Sequence, residues 1–253
     1  MPQIGLQLYS IRQAMAQDFF GSLAKVKNAG YDCVEFAGYG GYSAGALKSE
    51  LARIGLEAFS SHVGSDQLEN HLDEVVAFSA ELGLSWVICP GYPIKEEADC
   101  RRISGILARA ADALQPCGIR VGYHNHHREF IRFGGRYALD LIAAGAGGPP
   151  VAIELDVCWA QYADVDPAAY YQSLGDRAGP LHCKDINADY RNLAGHQINV
   201  EVGGGIVDFA GLIAAARRQG TLENGLIVEQ EAFTRDPFES IRISCDHLRQ
   251  LLA

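Results

Sequence analysis

The sequence predicts an α/β protein, a single (β/α)8 TIM barrel over residues 1–253, and three observations carry that prediction. Short runs rich in Val, Ile and aromatic residues alternate with stretches of helical period, and eight such units can be counted from end to end. A glycine of the kind that ends a helix stands just before several of the apolar runs. Polar residues follow nearly every run rather than gathering at one crevice. Parallel strands joined by helices must be covered on both faces or closed into a barrel, and eight units in about 250 residues is a barrel's arithmetic. A doubly wound sheet is the alternative, but the first strand lacks a GxGxxG turn.

The first strand is read at residues 4–9. The next four fall at 32–36, 56–61, 85–89 and 119–124, where NAGYDCVEF, RIGLEAF, ELGLSWVI and PCGIRVGY place the helix-ending Gly one to three residues upstream. AAGAGGPP, residues 143–150, reads as a loop before the sixth strand at 151–156. Asp166-Pro167 then supplies an N-cap followed by Pro in the first helical turn, and Asp236-Pro237 does the same for the last helix. The seventh and eighth strands are read at 180–184 and 225–229, with the glycine run EVGGGIVDF between them, ahead of a helix starting near Val207. That run suits either a backbone nest for an anion or a tight turn or mobile lid. The absence of GKS or GxGxxG spacing favours the second.

A formal net charge of −10 with no Lys/Arg cluster excludes a phosphate-backbone partner, so nucleic acid is set aside in favour of a small molecule. The seven cysteines are scattered, with Cys33, Cys89, Cys158 and Cys183 inside strand-like runs and no CxxC pair, and they read as buried free thiols of a reducing compartment. MPQIGLQLYS has no basic region followed by an apolar stretch, and no later run approaches the ~18 apolar residues of a membrane span. The expectation is a soluble cytoplasmic protein without a membrane partner.

Four consecutive strand-like segments, VGYHNH, AIELD, PLHCKD and LIVEQE, end in metal-ligand or acid/base residues. The candidate ligands are His124 or His126, Asp156, His182 and Glu229, which only a fold could bring together. Imidazole mixed with carboxylate suits one divalent Mn, Co, Zn or Fe better than Mg. Side chains alternate along a strand, so His124 and His126, Glu154 and Asp156, and His182 and Lys184 form pairs on one face, of which the later member reaches the open mouth. This favours Asp156 over Glu154, which reads alternatively as a buried carboxylate paired with a barrel Lys or Arg. Glu229 follows Leu226, Ile227 and Val228, a burial that a cation would explain; Glu231 is its fallback. In HNHHREF the order is His124 as ligand or acid/base group, His126 as catalytic base and Glu129 as a substrate contact or a support behind one, with His127 exposed. His62, Glu35 and Tyr9 are candidate substrate contacts, with packing roles as the alternative. His71, His196 and His247 are assigned to solvated faces. No GxSxG turn is present, which disfavours acyl-enzyme hydrolysis.

With GLQLYSIR, GYDCVEFAG, YHNHHREF, ELDVCW, HCKD and VEQE in that order, the chain resembles, over essentially its whole length, the xylose isomerase-like barrel superfamily of sugar phosphate isomerases and epimerases. The resemblance implies one divalent metal held at the ends of strands five to eight. Ketose epimerases of this group use Glu, Asp, His and Glu there, and the last three correspond to Asp156, His182 and Glu229. The first departs: His124 stands where those epimerases carry a Glu that is also one of their two proton-transfer bases. A similar His-rich strand in the inosose dehydratase branch, and the likeness of YHNH…EF to proteins acting on 3-keto sugars and their glycosides, imply elimination as readily as epimerisation.

The expected function is therefore a divalent-metal-dependent isomerase or epimerase that removes a proton beside the carbonyl of a keto sugar or derivative, through a metal-stabilised enediolate. The alternative is a lyase, a keto-inositol dehydratase or 3-keto-glycoside lyase, in which His124, His126 or Lys184 supplies the acid. An endonuclease-like phosphodiesterase would need further ligands, and Trp159 stands where a further His would help. A non-catalytic sugar-binding barrel is the remaining class. Homo-oligomer formation through the helices is left open.

Overall fold

The protein, seen in a computed structural model that describes residues 2–145 and 151–253, forms a closed barrel of eight parallel strands with helices around it. The strands are β1 (Ile4–Gln7), β2 (Cys33–Phe36), β3 (Glu57–His62), β4 (Trp86–Cys89), β5 (Arg120–His124), β6 (Ala152–Asp156), β7 (Ala178–Cys183) and β8 (Leu226–Val228). Each pairs with its neighbours in sequence, and β1 closes the ring on β8 through Ile4 opposite Leu226 and Leu6 opposite Val228. Residues 146–150 of the loop expected at 143–150 lie outside the described residues.

The turn chemistry is as the residues dictate. Gly55 and Gly83 follow the helices Ala44–Ile54 and Leu72–Leu82 with φ of 77° and 87°, a left-handed conformation that costs a side chain-bearing residue about 1 kcal/mol or more. Asp166 and Asp236 each accept two backbone N–H bonds at the starts of Pro167–Leu174 and Pro237–Leu252. β1 is shorter than the expected 4–9 because the Gln7 side chain accepts from Tyr9 N at 2.9 Å and turns the chain into a 3-10 helix, Leu8–Ile11. Tyr9 therefore sits on that turn. All seven cysteines are free, and all but Cys117 are buried. No helix of the described residues is long and apolar enough to cross a membrane.

The barrel interior is divided along its axis. Its lower end is filled by Cys33, Phe59, Trp86, Ile88 and Ile227. Above them lie Gln7, Glu35, Ser60, Glu154 and His182, every one fully buried. Period-two alternation makes this change of character unavoidable, since Cys33 and Glu35, or Ile227 and Glu229, share a face of one strand. Where β2 meets β3 the register skips a residue between Val34 and Glu35, and Phe59 packs in the apolar layer while Ser60 donates to Glu35 Oε2 at 2.6 Å.

A second irregularity lies between β6 and β7, where Gly179 passes the β6 backbone so closely that a Cβ would stand 2.9 Å from Ile153 O and 3.3 Å from Glu154 N. Backbone cannot step aside cheaply there. Gly179→Ala is expected to cost about 1–3 kcal/mol, read as a lower urea midpoint at unchanged slope.

After β7 the chain makes an unanticipated two-stranded hairpin, Asp185–Ile186 against Asn199–Val200. The glycine run curls back onto it: Gly203 N and Gly205 N each donate to Asp185 Oδ2 at 2.9 Å, and Val207 N to Oδ1 at 3.2 Å. The run is thus both things it resembled, a tight turn and an anion nest, with the protein's own Asp185 carboxylate as the anion. Asp208 caps the helix Phe209–Gln219 that follows.

Candidate metal centre and active-site cavity

The C-terminal ends of β5, β6, β7 and β8 carry His124, Asp156, His182 and Glu229 inward, and the ligand atoms of Asp156, His182 and Glu229 lie within 4.8 Å of one another. Asp156 is also the N-cap of Val157–Tyr162: its Oδ1 accepts from Trp159 N at 3.0 Å, which directs Oδ2 to the barrel axis. His182 Nδ1 stands 3.4 Å from that oxygen. His124 Nε2 stands 3.8 Å from it.

Whether these residues suit a metal can be tested on the atoms themselves. Asp156 Oδ2 and both ring nitrogens of His182 are buried with no hydrogen-bond partner, and a cation between Asp156 Oδ2 and His182 Nδ1, 3.4 Å apart, would satisfy the oxygen and one of the nitrogens. The mixture of imidazole nitrogen and carboxylate oxygen fits a first-row divalent ion. His124 turns Nε2 toward Asp156 while Nδ1 is held by Glu154 Oε2 at 3.1 Å, and its ligand atom lies within 4.8 Å of those of His62, Glu154 and His182 in a second, overlapping cluster. A carboxylate behind the far nitrogen of a ligating His fixes its tautomer and raises its basicity.

Glu154 is thereby corrected: its partners are His124 and, from across the barrel, His62 Nε2 at 3.0 Å, not a Lys or Arg. Glu35 is likewise too deep to touch a substrate. It accepts from Gln7 at 2.8 Å and from Ser60, and it lies 3.0 Å from His62 Nε2 and 3.5 Å from His182 Nε2. The role open to it is holding imidazoles. Burial pushes the Glu154 carboxyl up to about 7, with the Glu35 charge adding to it. Glu35 is itself held below the usual carboxylate range: burial works the other way but is overcome by the His62 and His182 imidazoles. Burial and the neighbouring His182 and His62 push His124 well down, and burial takes His126 down to about 4, so both rings enter the site neutral. Neutral imidazole is the form that binds a metal or accepts a proton.

Glu229, just beyond β8, is held down to about 2: burial opposes this but the Lys184 ammonium 2.9 Å away prevails. Lys184 also bonds Glu231, whose other oxygen is 3.0 Å from His196 Nδ1. With 1% of its surface exposed and two carboxylates on its ammonium, Lys184 lies under the cavity floor and fixes the orientation of Glu229, a place different from that of a catalytic acid.

Over these groups opens a cavity of about 550 Å³ lined by Tyr9, His62, His124, His126, Trp159, His196, Glu229 and Glu231, with the His126 and Trp159 rings side by side at a centroid distance of 5.7 Å. His127 is exposed, as expected, and lies beside Trp159 and Tyr162 at centroid distances of 5.3 and 5.2 Å. Glu129, expected as a substrate contact or a support behind one, takes the second place: it accepts from His126 N at 2.8 Å and from Tyr123 Oη at 2.9 Å and pins the loop that carries His126. His196 is exposed, as expected of a residue on a solvated face, and the hairpin after β7 also brings it to the cavity.

Trp159 was passed over as a cavity residue. Its spacing three residues after a strand-end Asp is the signal that could have found it, because a helix N-cap puts that position beside itself. The support of His124 by Glu154 is open to a direct check. Glu154→Gln is expected to weaken metal affinity by about 10- to 100-fold, measured by competition with a chromogenic chelator.

Comparison with known proteins agrees with this geometry. The sequence pattern of the xylose isomerase-like TIM barrel family matches residues 23–251. A sugar phosphate isomerase/epimerase from Parabacteroides distasonis superposes with a TM-score of 0.84 at 26% identity, over 98% of this chain and 94% of its own. An L-ribulose 3-epimerase shares the fold at TM-score 0.76 and 17% identity, over 100% of this chain and 95% of its own. A probable 3-DHS dehydratase from Bacillus anthracis shares it at 0.74 and 13%, over 98% of each chain. Curated proteins give no match. With the family pattern running through all but the first strand of a closed eight-stranded barrel, the chain belongs to the xylose isomerase-like TIM barrel family.

Proposed function

We propose that the protein is a divalent-metal-dependent enzyme that removes a proton beside the carbonyl of a keto sugar or sugar derivative, and that its product is an isomer or epimer. The observation that carries this reading is the convergence of Asp156, His182 and Glu229 around buried acceptor atoms without partners, under a cavity of sugar size. His124, Asp156, His182 and Glu229 would hold the ion. When bound, it supplies electrostatic stabilisation of the negative charge that develops on the substrate oxygens.

The chain's own residues do the rest. Glu229, oriented by Lys184, is the carboxylate that faces both the cavity and the ligand cluster, and it takes the proton. His126, neutral and lining the same cavity, is placed to exchange the second one, a positioned transfer of a kind that contributes about 100- to 10,000-fold. Trp159 and Tyr9 cover the sugar and exclude water.

One observation favours a second reading. Glu154, the other carboxylate of this cluster, lies beneath His124 and is fully buried, so the groups lining the cavity with Glu229 include the imidazoles of His62, His124 and His126. Of these, His62 is the protonated one: burial would lower it, but Glu35 and Glu154 raise its imidazole to about 10, a group suited to protonating a departing oxygen, and the same proton abstraction would then end in elimination by a lyase. Incubation of metal-loaded protein with keto sugars in D2O separates the two. Deuterium at the carbon beside the carbonyl with no mass lost supports isomerisation, whereas loss of water or an alcohol supports the lyase. Absence of exchange across the panel with metal bound would refute both.

A further inference from the structure

A second cavity of about 510 Å³ opens beside the first, and the His62 imidazole is a wall of both. It is built by the segments that follow β2 and β3. Tyr39 lies against Phe78 with ring centroids 4.2 Å apart and is anchored by its Oη to Ser61 Oγ at 2.9 Å. Around this aromatic wall the lining supplies Asp66, Gln67, His71 and Glu74, all exposed. Pockets of roughly 300–1,000 Å³ suffice for whole small-molecule ligands. Either cavity therefore takes one sugar ring, and a lone ring leaves the other empty.

The chemistry of the second lining restricts its occupant. An aromatic face beside a rim of hydrogen-bonding groups matches a sugar ring, which presents apolar C–H faces and a girdle of hydroxyls. No Lys or Arg lines this cavity, while two carboxylates do, so a phosphate or carboxylate there would meet repulsion. Both contacts of His62 with carboxylates use Nε2, and Nδ1 makes no hydrogen bond among the described residues. Of the residues lining the two cavities, His62 is the one they share.

We infer that the substrate is a two-part molecule, a keto sugar ring in the metal cavity joined through one oxygen to a second, uncharged sugar ring that occupies the cavity walled by Tyr39 and Phe78. The inference rests on the keto-sugar reading above and goes beyond it by fixing the size, charge and attachment of the substrate.

The test is calorimetric titration of Mn-loaded protein with fructose and with three disaccharides that contain it, turanose, lactulose and isomaltulose, which differ in linkage. At least one disaccharide is expected to bind ten-fold or more tighter than fructose. Gln67→Trp and Glu74→Trp, two exposed positions outside the metal site whose new rings fill the second cavity, are expected to remove that gain. Both should leave fructose affinity within two-fold and metal content unchanged. Fructose binding equalled or exceeded by none of the disaccharides would overturn the two-ring inference while leaving the keto-sugar reading intact, as would a gain untouched by both Trp variants. Metal retained with no sugar bound would overturn the keto-sugar reading and this inference with it.

Discussion

His182→Ala is expected to reduce bound metal from about one ion per chain to near none and to abolish turnover, with the barrel still folded. The imidazole is fully buried, and its two nitrogens stand 3.4 Å from Asp156 Oδ2 and 3.5 Å from Glu35 Oε1, so its removal takes away the nitrogen that faces Asp156. Elemental analysis of wild type and variant, prepared identically and loaded with Mn, Co, Zn or Fe, reads the first effect. Far-UV circular dichroism reads the last. The variant should also melt earlier, because breaking a buried arrangement of opposite charges commonly costs about 3–5 kcal/mol, while the apolar layer of Phe59, Trp86, Ile88 and Ile227 below is untouched. Metal retained at wild-type stoichiometry would remove His182 from the ligand set. Two or more ions per chain in the wild type would reopen phosphoester hydrolysis.

What the sequence disclosed about this site, and what it did not, follows from how each contact is made. Asp156, His182 and Glu229 were legible because parallel strands put their last inward residue at one mouth, and a run such as Leu226–Val228 announces where the strand ends. Their meeting needs no knowledge of loops. Partnerships across the barrel are another matter. His62 and Glu154 are 92 positions apart, on strands that do not pair, and the general tendency of buried carboxylates to find Lys or Arg pointed away from two imidazoles. His196 sits among short 3-10 turns with no periodicity to follow, and only the pairing of Asp185–Ile186 with Asn199–Val200 returns it to the mouth. Between the two places expected for Glu129 a local signal could have chosen: it stands three residues after His126, the spacing at which a side chain reaches back to cap a turn, and that is what it does.

Glu229→Gln should separate holding the metal from moving the proton. The substitution preserves shape and keeps one oxygen that can accept from Lys184 Nζ, now 2.9 Å from Glu229 Oε2, so the floor of the cavity keeps its packing. It removes the charge that made Glu229 a base, and an amide has no proton affinity to replace it. Asp156, His182 and His124 remain as ligands, so metal binding is expected to weaken but persist at saturating ion. Proton exchange between substrate and D2O is expected to fall by at least the 100- to 10,000-fold that a positioned base contributes. Lys184→Met is the matching control: it frees Glu229 from the ammonium that holds it down while replacing none of the residues that would hold the ion. Turnover should fall less than in Glu229→Gln, since the carboxylate remains in reach of the cavity. If Glu229→Gln exchanged protons at the wild-type rate with metal bound, the abstraction would have to pass to Glu231 or His126, other groups of the cavity wall able to accept it.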